Sequence, residues 1–168
     1  MTPHIRWMIR ADLPEVLAIE NASFDPPWVE QDFLNALKQK NCIGMVAVHA
    51  DAVLGYMIYE LCKHELKLIT LAVHPTWRRM RVGTAMVEKM KAKLSYTRRP
   101  VLSMILGERN LSAQLFMQAC ELKCTQIMKG WHEASGEDGY EMEHRIALDF
   151  GEDADRLIAS IYEEELSQ

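Results

Sequence analysis

Residues Glu65–Leu94 read ELKLITLAVHPTWRRMRVGTAMVEKMKAKL. Leu66, Leu68, Leu71 and Val73 lie in a β-rich run without Pro or Gly, which predicts a strand. His74-Pro75 ends it, because the residue before a proline is held extended and proline has no N–H to give a ladder. Arg78, Arg79, Met80, Arg81, Val82 and Gly83 follow as a cationic turn. Behind the turn, Met86, Val87, Met90 and Leu94 fall on one helical stripe, with Glu88, Lys89, Lys91 and Lys93 around it. A strand therefore feeds a basic turn, and the turn feeds a helix N-terminus.

That turn has a chemistry of its own. The first backbone N–H groups of a helix have no intrahelical partner, and the helix dipole is positive there. Such an end binds phosphate, and a glycine lets backbone come close. Arginines beside it suit a polyanion better than a single carboxylate. The competing reading is a plain strand–helix turn with a solvated basic face.

The rest of the chain bounds the possibilities. At 168 residues it is long enough for one domain with a full core. A hydrophobic content of 49% with 26% charged residues is that of an ordinary globular protein. The net charge of −5 argues against a general nucleic-acid binder, while the local basicity from Arg78 to Arg99 fits a small phosphorylated ligand. Cys42, Cys62, Cys120 and Cys124 form no CxxC pair, and no His completes a metal site around them. They are expected to be reduced, in a cytoplasmic protein without a signal peptide or a bound metal. No apolar run approaches the ~20 residues of a membrane span, so no membrane partner is expected.

Read in order, the chain alternates strands and helices. Ile5–Arg10 is a first strand, Asp12 a helix N-cap, and Val16, Leu17, Ile19 and Ala22 an apolar stripe. Asp25-Pro26-Pro27 marks a loop before a second helix, Val29–Lys38. Cys42–Val48 and Val53–Leu61 form a hairpin ahead of the Glu65 strand. Val101–Leu106 is a strand and Asn110–Glu121 a capped helix with Leu111, Leu115, Phe116 and Ala119 inward. Cys124–Met128 and Tyr140–Leu148 close the sheet around a loop, Trp131–Gly139. The order gives an α/β (α+β) fold: a mixed twisted sheet of about seven strands with four helices. Residues 1–148 form the domain. Residues 149–168 are acidic, with Leu157, Ile158, Ile161 and Leu166 at helical spacing. They read either as an appended C-terminal helix, packed on the body or on a second subunit in a homodimer, or as a solvated tail.

The segment LAVHPTWRRMRVGTAMV resembles the acetyl-CoA pyrophosphate loop of the GNAT acetyltransferase superfamily. That pattern is Arg/Gln-x-x-Gly-x-Gly/Ala after a strand ending in V-x-P and before a helix. Arg78 matches its first position and Gly83 its last, whereas Arg81 stands where the family has a glycine. The element order is also that of the GNAT fold. The resemblance implies acetyl-CoA as co-substrate, with phosphates held by Arg78, Arg79, Met80, Arg81, Val82, Gly83 and Thr84. It further implies that backbone of the fourth strand at Leu71, Ala72 and Val73 binds the thioester, with Asn110 and Met117 completing the cofactor site.

A second phrase narrows the resemblance. Glu20, Phe24, Pro27-Trp28 and Phe33 are similar to the E-x-x-x-F-x-x-P-W-x-x-x-x-F phrase of ribosomal-protein alanine N-acetyltransferases and related N-terminal acetyltransferases. It implies that Phe24 and Trp28 wall a slot for a peptide N-terminus, with Trp131 and Tyr140 on the opposite wall. The competing reading makes Phe24, Trp28 and Phe33 a structural staple. The relatives' acid and base do not carry over. The base position on the fifth strand is Ile105, the thiolate-protonating tyrosine is Met117, and the fourth-strand tyrosine is Lys67. Glu108, His132 and Tyr140 are the substitute catalytic candidates. The expected function is an N-acetyltransferase acting on a protein or peptide N-terminus by direct transfer. The alternatives are a small-amine acetyltransferase and a weak or silent acyl-CoA-binding protein.

Overall fold

The computed structural model describes residues 1–147. Strands β1 (His4–Trp7), β2 (Cys42–His49), β3 (Ala52–Leu61), β4 (Glu65–Val73), β5 (Val101–Gly107), β6 (Lys123–His132) and β7 (Glu137–Arg145) form one sheet. Their spatial order is β1-β2-β3-β4-β5-β7-β6. Every pairing is antiparallel except β4 with β5, which helix α3 (Val82–Lys91) joins as a crossover. Helices α1 (Leu13–Ser23) and α2 (Glu30–Lys38) cover one face; α3 and α4 (Leu111–Ala119) cover the other.

The two faces have separate cores because strand side chains alternate. Leu13, Val16, Ile19 and Phe33 pack on Val46, Tyr56, Ile58 and Ala72. On the other face Val82, Met86, Val87, Met90 and Met117 pack on Leu54, Met57, Leu66, Leu68 and Leu102. The glycine entering α3 serves this second core: a Cβ on Gly83 would stand 3.0 Å from Phe116 Cζ. Its small size lets α3 approach α4.

One irregularity opens the sheet. β4 pairs with β5 only from Glu65 to Lys67, opposite Val101–Ser103. With β3 it stays paired through Val73, and the register skips Ile69, a bulge between Leu68 and Thr70. A bulge bends a strand and tightens its twist, so beyond Lys67 β4 leans away from β5 and the sheet opens into a notch.

Several expectations are corrected. The first strand stops at Trp7. Asp12 does not cap α1: its carboxylate accepts the Ile9 N–H at 2.8 Å and pairs both oxygens with Arg6. The buried stripe of α4 is Ala113, Phe116, Met117 and Cys120, while Leu111 and Leu115 are 62% and 55% exposed. Trp131 and His132 belong to β6 rather than to a loop. β6 is an edge strand exposed on nearly every residue, so it carries no apolar alternation by which to read it. The hairpin between β2 and β3 turns at Ala50-Asp51 with both φ positive, as a type I′ turn requires. The acidic segment 149–168 and Leu148 lie outside the described residues.

Candidate active site

The notch continues into a cleft of about 820 Å³, bounded by β4 from Leu71 to Val73, the turn from Trp77 to Thr84, and α4 from Asn110 to Phe116. Ser23 and Phe24, at the end of α1, close its far side. The connection from β4 runs through a 3₁₀ turn, Pro75–Trp77, where the His74 side chain accepts the Thr76 N–H. The chain then enters α3 through two residues in the left-handed region, Arg79 at φ 60° and Arg81 at φ 64°. Arg81, the residue before the helix, has ψ 13° and makes no side-chain cap bond. A backbone turning this way presents successive N–H groups to one concave side, which binds anions.

The first bond of the α3 ladder runs from Ala85 N to Arg81 O at 3.0 Å. The N–H groups of Val82, Gly83 and Thr84 therefore have no place in the ladder and open on the cleft. Arg79 and Arg81 enter no ion pair among the described residues. Arg78 is different. Its Nε donates to Val73 O at 3.0 Å, and its Nη2 donates to Ser23 Oγ at 3.0 Å.

β4 supplies further donors. His74 N bonds Leu54 O on β3, so by alternation the N–H groups of Leu71 and Val73 turn the other way, into the gap left by β5. They are fixed dipoles at the edge of a cleft.

The opposite side of the gap is the face that α1 and α2 leave bare. Cross-strand register puts Lys67, Ser103 and Glu143 in one row, with Ile105 beside Glu141 in the next. Carboxylate oxygens of Glu65, Glu141 and Glu143 lie within 4.8 Å of one another. Burial, then the neighbouring charge of Glu141, pushes the Glu143 carboxyl above its ordinary value. Trp131 lies over Gly139 on this same face, where a Cβ at Gly139 would come within 2.7 Å of the indole.

Behind the cleft a buried network fixes the end of α1. Glu20 accepts the Trp28 N–H at 2.8 Å and the Tyr56 hydroxyl, which also lies 3.5 Å from Thr70 Oγ1. Burial, then Glu20, holds the Tyr56 phenol well above its ordinary pKa. Trp28 packs edge-on against Phe33, and Phe33 against Tyr56.

Residues 6–120 match the acetyltransferase (GNAT) family. The chain belongs to that family. Its fold is shared with the ribosomal-protein-S18-alanine N-acetyltransferase of Escherichia coli, at TM-score 0.71 and 19% identity over 90% of this chain and 97% of that one. It is also shared with Ard1 of Thermoplasma volcanium, at 0.76 and 19% over 88% and 99%. Arabidopsis thaliana NAA60, solved in complex with acetyl-CoA, gives 0.74 and 15% over 86% and 100%. No curated protein sequence matches the chain significantly.

Within this GNAT cleft the structure gathers most of the expected cofactor residues: Leu71, Ala72, Val73, Arg78, Arg79, Arg81, Val82, Gly83, Thr84 and Asn110 all line it. Met80 does not line it and is 45% exposed, and Met117 is buried in the core at 2%. Asn110 accepts the Ala113 N–H and caps α4. Of the expected acceptor residues, Phe24 reaches the cleft. Trp28 is committed to the packing behind it, and Trp131 sits on the bare face.

Glu108, His132 and Tyr140 are not brought together. Glu108 bonds the Asp138 amide, and His132 Nδ1 is engaged by Ser135 in the β6–β7 turn. Tyr140 faces α4, in a groove with Leu111, Leu115 and Ile127. Sequence reasoning groups Glu141 and Glu143 with Glu133, Glu137 and Asp138 as an acidic side that draws an amine. It missed Ser23, Trp77 and Phe116 as cleft residues, and Glu65 as the third member of one carboxylate group with Glu141 and Glu143. For the carboxylates the i, i+2 spacing of Glu141 and Glu143 on a strand was the available signal.

Proposed function

We propose that this chain is an acetyl-CoA-dependent N-acetyltransferase, with a protein or peptide N-terminus as acceptor. The observation that carries the reading is the notch between β4 and β5, which joins a concave row of N–H donors to a bare acidic face. The residues fit the co-substrate. Val82, Gly83 and Thr84 N–H groups with Arg79 and Arg81 suit a diphosphate, and the strand edge at Leu71 and Val73 suits a carbonyl oxygen. When bound, acetyl-CoA supplies an acetyl group on a thiol with pKa near ~8.5, which leaves as thiolate.

The chain's own groups then act as follows. Leu71 and Val73 N–H donors oppose the charge that grows on the thioester oxygen, a kind of donor worth roughly 10²–10³ in rate. Glu141 and Glu143, beside Ile105, draw the cationic acceptor and take its proton. An α-amine with pKa near ~8 gives up that proton readily. Met117 has none to donate, so the thiolate leaves without a side-chain acid. The acceptor N-terminus lies between Phe24 and Trp131. Reaction in a cytoplasmic setting accords with the free cysteines.

A second acceptor class, a small polycationic amine, is favoured by the grouping of Glu65, Glu141 and Glu143. Two assays separate the readings. Thermal unfolding with up to millimolar acetyl-CoA should show stabilisation, and its absence removes both enzyme readings. Thiol release is then followed on heptapeptides with each amino acid at position one, and on spermidine. Turnover on peptides alone supports the N-terminal reading, turnover on spermidine alone supports the small amine, and binding without turnover leaves a silent acyl-CoA-binding protein.

A further inference from the structure

Arg78 stands at the first position of the phosphate-loop pattern, yet its guanidinium is turned onto the protein. Nε donates to the carbonyl of Val73, the last residue of β4. Nη2 donates to Ser23 Oγ, 55 residues earlier in the chain. The Ser23 hydroxyl donates in turn to Ile19 O at 2.6 Å, so its lone pairs remain free for Arg78. The three groups form one line from the strand edge, through the guanidinium, to the last turn of α1.

That last turn is where the connection to α2 begins. Phe24 follows Ser23 at once and reaches the cleft. One turn before it, Glu20 holds Trp28, the other end of the same connection, by its backbone N–H. The connection is thus fixed at two points. Glu20 fastens its far end to the sheet through Tyr56, and Arg78 fastens its near end to β4. The Glu20 network reaches β4 only at Thr70, beside the Tyr56 hydroxyl, whereas the Arg78 fastening is made to Val73, the end of the strand whose N–H groups face the gap.

We propose that Arg78 is a positioning residue: it braces the Phe24–Val29 connection against the end of β4, setting the acceptor wall at a fixed distance from the open strand edge. The assignment rests on the acetyltransferase reading for its consequence in catalysis, but not for its geometry. A planar guanidinium suits the task because its donors diverge in a fixed fork, so one side chain holds two acceptors in set directions. Lysine cannot do this. The phosphate role then falls to Arg79, Arg81 and the N–H groups of α3.

The test uses the full chain with three variants, Arg78→Ala, Arg78→Lys and Ser23→Ala. Amide hydrogen exchange over residues 24–33 and acetyl-CoA titration by calorimetry are measured on each. The brace predicts exchange about tenfold faster at Asp25, Trp28 and Val29 in all three variants, with acetyl-CoA affinity held within about twofold; one or two lost hydrogen bonds account for a change of that size. The double variant Arg78→Ala/Ser23→Ala should be no faster than either single one, because the groups form one link. On the best peptide acceptor, KM should rise about tenfold with kcat changed less. Unaltered exchange in the variants, or a tenfold loss of acetyl-CoA affinity in Arg78→Ala with none in Ser23→Ala, would overturn the proposal. Failure of the wild-type chain to bind acetyl-CoA would count against the function, while the exchange data would still decide the brace.

Discussion

Replacing Arg81 by glycine should stabilise this protein, despite the freedom that glycine adds to the unfolded chain. Arg81 holds φ 64° and ψ 13°, where a Cβ crowds the following carbonyl at a cost of roughly 1–2 kcal/mol. Against that relief stands the greater freedom of glycine in the unfolded chain, roughly 0.5–1 kcal/mol. The side chain caps nothing and forms no ion pair among the described residues. At the midpoints of these ranges the balance is a gain of about 0.75 kcal/mol, or a Tm rise of about 2–3 °C for a domain of this size. Arg81→Ala is the control, because alanine keeps the Cβ and gains nothing. Urea unfolding of the three proteins should give midpoints in the order Gly above Ala and Ala close to Arg, with equal m-values. In calorimetry both variants should lose acetyl-CoA affinity to the same extent, about fivefold, since both lose one cation beside the phosphate site. A glycine variant less stable than the alanine variant would refute the argument that backbone geometry at this position opposes its side chain.

The other predictions are as follows. Glu20→Gln weakens two bonds to a buried charged acceptor and should destabilise the fold by about 1.5–3 kcal/mol, read as a shift in urea midpoint. Arg6, mainly by hydrogen bonding, holds the Asp12 carboxyl below its ordinary 3.8. A depressed folded-state pKa gives stability that is complete above the unfolded value and is lost as pH falls through the folded one. Unfolding free energy should therefore fall as pH drops below about 4, and Asp12→Asn should flatten that part of the curve. Glu143→Gln should lower kcat/KM by roughly 10²–10⁴-fold and abolish the acid limb of its pH profile, while leaving acetyl-CoA affinity intact. An unchanged limb would place the base elsewhere.

How far the sequence reaches depends on the distance over which each feature is decided. The strand from Glu65 to Val73, its stop at Pro75 and the helix after Arg81 follow from period, proline and N-terminal chemistry within 30 residues, and the structure has them all. The family match takes in this stretch and extends over residues 6–120. Where no alternation exists, as on the exposed edge strand β6, the reading loses the strand and puts Trp131 and His132 in a loop.

Only the tertiary structure decided which of these residues face one another. Tyr140 and Glu141 are neighbours in the chain, but the sheet sends them to opposite faces, one toward α4 and one toward the bare side of the notch. The register that fixes those faces is set by pairing Glu141 with Ile105, across 36 residues of sequence. Arg78 likewise reads as a phosphate ligand in its local motif, and its bond to Ser23 exists only because α1 ends over β4. Periodicity and capping are properties of a segment, since they act through bonds to near neighbours. A face shared between different strands, or a long-range hydrogen bond, is a property of packed segments, and it has no local trace in the chain.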